Sequence, residues 1–217
     1  MNTLTIAYTT EGTTDERFLD KIIERTFEKL LAETSIAIFP PIYINVKGKS
    51  IEKIFEAAQR AYGYDILCIH ADADDKNDEK AFAERISPAF EKIEKAPEAL
   101  CKNLVAIVPV YEIESWMLVD SQAFINEIGA TMNEKELGFP KKAKQIESQK
   151  QPKQIIIKAI QIAYQRYPKR RNRPKIEQLY TPLSQKISLL ELEKLPSYLK
   201  FQRAARQALV KLNFLKG

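Results

Sequence analysis

Asp65-Ile66-Leu67-Cys68-Ile69-His70-Ala71-Asp72-Ala73-Asp74-Asp75 is the stretch on which the reading of this chain turns. Ile66 to Ile69 is an unbroken apolar run, the pattern of a strand buried on both faces of a parallel sheet. The acidic turn Asp72 to Asp78 follows, and then a helix from about Glu79 to Glu94. Upstream, Leu4 to Tyr8 reads as a strand with Leu4, Ile6 and Tyr8 on one face. Gly12 lies in the next turn, and Thr14 is expected to cap a helix whose first turn holds Asp15 and Glu16. Ser35 to Val46 is isoleucine-rich but holds Pro40 and Pro41, so it predicts a strand interrupted by a bend. Ser50 caps a second helix with Ile51, Ile54, Phe55, Ala58 and Tyr62 on one face, ended by Gly63. Downstream, Leu104 to Val110 is another buried-strand run. Glu112 to Asp120 reads as a helix with Trp116 and Leu118 as packing residues. Alternating strands and helices predict an α/β fold: a Rossmann-like, mostly parallel sheet flanked by helices.

The composition changes near Gly138, dividing the chain into an α/β domain over residues 1–138 and a basic all-helical subdomain over 139–217. Lys141 to Lys153 reads as a polar connector. Pro152 opens a helix that Pro168 stops, a leucine-rich helix follows, and Tyr198 to Leu215 marks a final amphipathic helix. The net charge of +5 hides a balance of −10 over Met1 to Phe139 and +15 over Pro140 to Gly217. Acids can hold hard cations and bases can hold polyanions, although a solvated basic helix face explains the second half as well. Two cysteines, Cys68 and Cys101, make neither a disulfide framework nor a zinc cluster, and a reducing cytoplasm is the expected setting. No apolar run approaches the roughly 18 residues of a membrane span, and no signal peptide is expected.

Three acidic groups share one topological position. Glu11 follows the first strand, Asp72, Asp74 and Asp75 follow the strand ending at His70, and Glu112 and Glu114 follow the strand after Leu104. In an open α/β sheet the ligand crevice lies beyond the carboxyl ends of the strands. Crowded carboxylates are costly without a cation, and Mg²⁺ prefers oxygen donors. Each acid taken alone also fits a solvated turn or a helix start. Lys47 and Lys49 in Val46-Lys47-Gly48-Lys49-Ser50 could meet a phosphate, but Tyr43 stands where a P-loop needs its first glycine. His70, the only histidine, excludes histidine-based zinc sites, and no Gly-x-Ser-x-Gly elbow supports a serine hydrolase. Cys68 and Trp116 read as core.

Glu11-Gly12-Thr13-Thr14-Asp15-Glu16 after a strand, followed by Asp72-Ala73-Asp74, resembles the Toprim domain. The stretch Pro109-Val110-Tyr111-Glu112-Ile113-Glu114-Ser115-Trp116-Met117-Leu118-Val119-Asp120 is similar to a motif of an uncharacterised prokaryotic Toprim-like family. That family is related to the overcoming-lysogenization-defect nucleases. The resemblance implies Mg²⁺- or Mn²⁺-dependent phosphodiester chemistry, with Glu11 as acid/base or metal-linked carboxylate and Asp72 and Asp74 as metal ligands. Glu114 is the expected further carboxylate, because it precedes Trp116 in the motif, with Glu112 as the alternative. Relatives often accompany ATPases in anti-phage or mobile-element settings. Two functions follow. One is a nuclease in which Lys47, Lys49, Arg166, Lys169, Arg170, Arg171, Arg173 and Lys175 meet nucleic-acid phosphates and Tyr167 stacks on a base. The other is a noncatalytic regulator or adaptor of a partner ATPase.

Overall fold

The computed structural model describes residues 3–165 and 173–216. The first strand comes in two pieces, β1 (Thr3–Leu4) and β2 (Ile6–Thr9). They part at Thr5, whose N–H and hydroxyl both donate to the Asp65 carboxylate at 2.7 Å. Helix α1 (Thr13–Leu31) leads to β3 (Ala37–Ile38) and β4 (Ile42–Tyr43). The gap between these two holds Pro40 and Pro41, which have no N–H to continue a ladder. Then come α2 (Ile51–Arg60), β5 (Ile66–His70), α3 (Glu79–Ala81), a π turn (Phe82–Ile86), α4 (Ser87–Lys95) and β6 (Leu104–Ile107). The remaining elements are helical: α5 (Glu114–Met117), α6 (Ser121–Ile128), α7 (Ala143–Ile146), α8 (Pro152–Tyr164), a 3₁₀ turn (Ile176–Gln178), α9 (Tyr180–Lys186), α10 (Leu189–Leu192) and α11 (Pro196–Lys211).

Every strand pairing is parallel, in the order β4-β2-β5-β6, with β1 beside β3. Side-chain alternation assigns the two faces. Ile6, Tyr8, Ile66, Cys68, Val105 and Ile107 point into a core shared with α1, α8, α9 and α11. Ala7, Leu67 and Ile69 point the other way, against Ile54, Ala57 and Ala58 of α2 and Ala89 and Ile93 of α4. The chain therefore folds as a sheet between two helical layers. The helices after residue 139 close the first of these cores: α9 lies along α1, and α11 covers β6. Among the described residues no helix is long and apolar enough to cross a membrane.

Several local expectations change. Gly12, not Thr14, is the N-cap of α1, and Asp15 three residues on accepts the Gly12 N–H at 2.9 Å. A Cβ at residue 12 would stand 3.0 Å from Asp15 Oδ2, so glycine suits this close approach. Ser50 does cap α2, accepting the Lys53 N–H. Tyr62 is 65% exposed, because α2 ends at Arg60 and the chain turns before it. The helix after the acidic turn contains the π turn, which ends just ahead of Ser87-Pro88, where a proline cannot donate its usual i−4 bond. The expected helix over Glu112 to Asp120 shrinks to the single turn α5, and Asp120 instead caps α6 through the Ala123 N–H. Trp116 and Cys68 are core, as read from the sequence.

Candidate functional site

The loops after β2, β4, β5 and β6 all leave the carboxyl edge of the sheet. From β2 the chain runs outward to β4, and from β5 it runs the opposite way to β6. The strand order therefore reverses between β2 and β5, where open α/β sheets form their ligand crevice. Glu11 and Asp72 flank that point, and Glu11 Oε2 accepts the Asp72 backbone N–H at 3.2 Å. The β5 and β6 ladder runs on past the strands: Ala71 N–H donates to Ile107 O and Ala73 N–H to Pro109 O, both at 3.1 Å. Beyond them Asp74 and Tyr111 close the pair, Asp74 N–H to Tyr111 O and Tyr111 N–H to Asp75 O. Both residues have positive φ, +54° and +60°, a conformation that costs roughly 1–2 kcal/mol in a non-glycine residue. The Asp72–Asp74 turn is thus held in place by backbone bonds from its neighbour.

Two cations serve these acids. Lys49 Nζ lies 2.7 Å from Glu11 Oε1 and also pairs with Asp74 Oδ2. Arg85 lies in the π turn. It donates to Asp72 O at 2.9 Å and approaches Asp74 Oδ2 at 3.5 Å. His70, 1% exposed, stands between Asp72 and Asp15. Its Nε2 lies 3.2 Å from Asp72 Oδ1, while its Nδ1 lies 3.6 Å from Asp15 Oδ2 and has no hydrogen-bond partner. Burial pushes the Asp72 carboxyl above its ordinary range; His70 opposes this, and Asp15 and Glu11 add to it. For His70, burial disfavours the charged ring, but Asp72, Asp15 and Glu11 outweigh it and raise the pKa.

This histidine predicts a pH dependence. A raised imidazole pKa stabilises the folded chain fully below the ordinary value of 6.5, and that stability is lost as pH rises through the folded value. The raised carboxyl pKa of Asp72 acts in the same direction, from its ordinary value of 3.8 upward. In chelator-containing buffer the urea midpoint should therefore fall as pH rises above 6.5. His70→Gln should flatten that fall; a midpoint that climbs over the same interval contradicts the assignment.

The acids after β6 divide differently from expectation. Glu114 is 4% exposed and accepts the Tyr180 hydroxyl from α9 while pairing with Lys153 of α8 at 3.4 Å. It sits on the buried turn with Ser115, Trp116 and Met117, and its charge is used to fasten the helical layer. Glu112 remains half-buried with Oε2 unpartnered, and its pKa is raised by burial, then by Glu114 and Asp72. Of the expected phosphate contacts, Lys47 is exposed, Lys49 is bound to the acids, and Arg173 and Lys175 are exposed. Arg166, Tyr167, Lys169, Arg170 and Arg171 lie outside the described residues.

Arg85, Lys153 and Tyr180 belong to the site's surroundings with no site role read for them from the sequence, and Asp15, read there only as a first-turn acid, faces His70. The spacing Tyr180-Leu183-Ile187 carries a helical signal for α9. Arg85 has none, because only the π turn aims it. The oxygen donors Glu11, Asp72 and Asp74 fit a hard divalent cation in chemistry. They are not gathered on one point: among the described residues no group of three or more His, Cys, Asp or Glu side chains is arranged to hold a metal ion. Lys49 stands between Glu11 and Asp74 instead. A separate cavity of about 390 Å³ lies between β6, α4 and α11, lined by Phe82, Phe90, Phe201 and Lys102, and none of these site carboxylates borders it.

The family model described as Domain of unknown function (DUF4276) matches residues 10–182, a span that takes in the whole carboxylate edge, Lys49, Arg85 and Tyr180. Neither the curated proteins nor the solved structures yield a match to the chain.

Proposed function

The chain belongs to the DUF4276 family, whose description assigns no function, and we propose that it is a Toprim-like, Mg²⁺- or Mn²⁺-dependent phosphodiesterase acting on nucleic acid. The observation that carries this reading is the meeting of Glu11 and Asp72 at the point where the strand order reverses, with Asp74 and Glu112 beside them. Glu11, Asp72 and Asp74 would hold the cation, which supplies charge neutralisation at a phosphate and activation of water. Glu112 replaces Glu114 as the fourth carboxylate. Its Oε2 is unpartnered and its pKa is raised by burial, then by Glu114 and Asp72, which suits it to a proton-transfer role. Arg85, held by Asp72 O and facing Asp74, would orient the Asp72–Asp74 turn. Arg173 and Lys175, both exposed, supply contacts to the nucleic-acid backbone. Their segment is joined to α1 where the Arg17 guanidinium donates to Glu177 O at 3.5 Å, near the α1 N-terminus.

Incubation of end-labelled DNA and RNA with the purified chain tests the reading. Cleavage is expected with Mg²⁺ or Mn²⁺ and none with chelator; metal-independent cleavage overturns it. A second reading, a noncatalytic adaptor of a partner ATPase, draws on the Lys49 and Arg85 pairs, which neutralise the acidic edge with no ion. Stable binding to an ATPase with every DNA and RNA substrate left intact decides for the adaptor. A cytoplasmic setting and a role in defence against mobile elements go with either reading.

A further inference from the structure

The free side of β6 opens into the cavity between α4 and α11, and we propose that this cleft takes an extended, acidic peptide segment of another protein as an added strand. β6 is the outermost strand on its side of the sheet. Its odd-numbered residues face β5: Asn103 O accepts the Leu67 N–H, and Ile107 O accepts the Ala71 N–H. In a parallel ladder the residues between them turn their N–H and C=O groups the other way. Those residues are Leu104, Ala106 and Val108, and all three line the cavity. Their outward backbone groups are hydrogen-bonded to no other described residue. Such groups are costly where water is restricted, and Val108 is only 4% exposed. Donors and acceptors repeated at every second residue of a strand are complemented by the backbone of another extended chain.

The dimensions of the cleft suit such a chain. Its lining runs from Lys102 to Val108 along the strand and from Ser197 to Lys211 along α11. At the rises of a strand and a helix both stretches span about 20 Å, the length of about six extended residues. Alternate side chains of the added strand would meet Phe82 and Phe90 on one wall and Phe201 and Ala204 on the other. Charge selects the partner. α11 carries Lys200, Arg203, Arg206 and Lys211 and no acid. Lys200 is paired with Asp78, but Arg203, Arg206 and Lys211 pair with no acid among the described residues. Across the cleft, the Lys102 ammonium donates to Glu94 O and Ala96 O, which leaves its charge unneutralised. Against these cations the lining offers one acid without an ion pair among the described residues, Glu94. A second copy of this chain is a poor occupant, because pairing two β6 edges would bring two basic α11 faces together.

Fluorescence anisotropy tests this with labelled seven-residue peptides in which glutamate alternates with valine, isoleucine or phenylalanine. At least one is expected to bind the wild-type chain. Of its two alternately N-methylated forms, one should bind about tenfold more weakly and the other near normally, because only one set of N–H groups faces β6. Lysine in place of glutamate should weaken binding by about tenfold as well. Ala106→Pro removes an outward N–H and no bond to β5, and is expected to lower affinity about tenfold, with a thermal melt to confirm folding. Lys211→Glu should lower it too. Failure of every peptide to bind overturns the proposal, and so does equal binding by the parent peptide and both N-methylated forms, a comparison that needs only the wild-type chain. Tighter binding of a single-stranded DNA oligonucleotide, lost in Lys211→Glu and kept in Ala106→Pro, overturns it in favour of nucleic acid. A dimer in sedimentation that Ala106→Pro dissolves overturns it in favour of a second copy. None of Glu11, Asp72, Asp74 and Glu112 borders the cleft, so these outcomes are independent of the metal reading.

Discussion

Replacing Asp72 with asparagine is expected to abolish metal-dependent cleavage while leaving the fold in place. The catalytic loss should be about 10²–10³-fold or more, the scale seen when a group stabilising transition-state charge is removed. The structural cost should be small, for a reason particular to this site. Asp72 already carries its charge at a disadvantage, pushed by burial and by Asp15 and Glu11 toward the protonated form. Asparagine has nearly the same shape, keeps an oxygen for His70, and leaves untouched the backbone N–H that Glu11 accepts. The unfolding free energy without metal should therefore change by less than about 1 kcal/mol, within the range of mild substitutions. An Asp72→Asn chain that cleaves at the wild-type rate would remove Asp72 from the reaction. One that fails to fold would mean that the carboxylate supports the Asp72–Asp74 turn rather than chemistry.

The largest stability effect is expected at Trp116. The indole is fully buried, packs edge-on to Tyr198 at 5.2 Å and stacks on Phe201 at 6.2 Å. Its Nε1–H donates to the Ser197 hydroxyl at 2.8 Å. One side chain thus fastens α5, which follows the acidic-edge loop, to α11 at the far end of the chain. Trp116→Ala should cost about 3–5 kcal/mol in urea or guanidinium unfolding, through lost burial and the cavity left behind. That is a large part of the 5–15 kcal/mol typical of a folded domain. A loss below about 1 kcal/mol would show that Tyr198 and Phe201 collapse into the space.

The centre of the sheet was legible in the sequence because β5 and β6 are apolar runs and the chain after β2, β5 and β6 carries acids. Ile66 to Ile69 needs a parallel sheet to hide both faces, and the acids after each strand then have to share an edge. The contact between Glu11 and the Asp72 N–H follows from that logic. Pairings made across the fold were not legible. Proximity to Trp116 favoured Glu114, but the same proximity turns Glu114 inward, since the single turn Glu114–Met117 is buried on every residue. The partner that takes it, Tyr180, lies 66 positions away on α9, whose helical spacing does not say which acid the hydroxyl will meet. Lys49 read as a phosphate ligand because spacing reports charge, not the acid it will meet. Gly12 was passed over as a cap because its capping partner, the Asp15 side chain, reaches back from within the helix.

The two prolines between β3 and β4 have a consequence for how copies of this molecule behave together. β4 is the outermost strand of its sheet, and Phe39 and Ile42 beside the prolines are 60% and 48% exposed. A sticky, open sheet margin of this kind invites another chain to add a strand and begin aggregation. Here the margin consists of two-residue pieces on either side of residues with no N–H to offer, so an incoming strand finds too short a template to zip along. The same interruption that breaks the ladder inside the fold also keeps that ladder from extending beyond it.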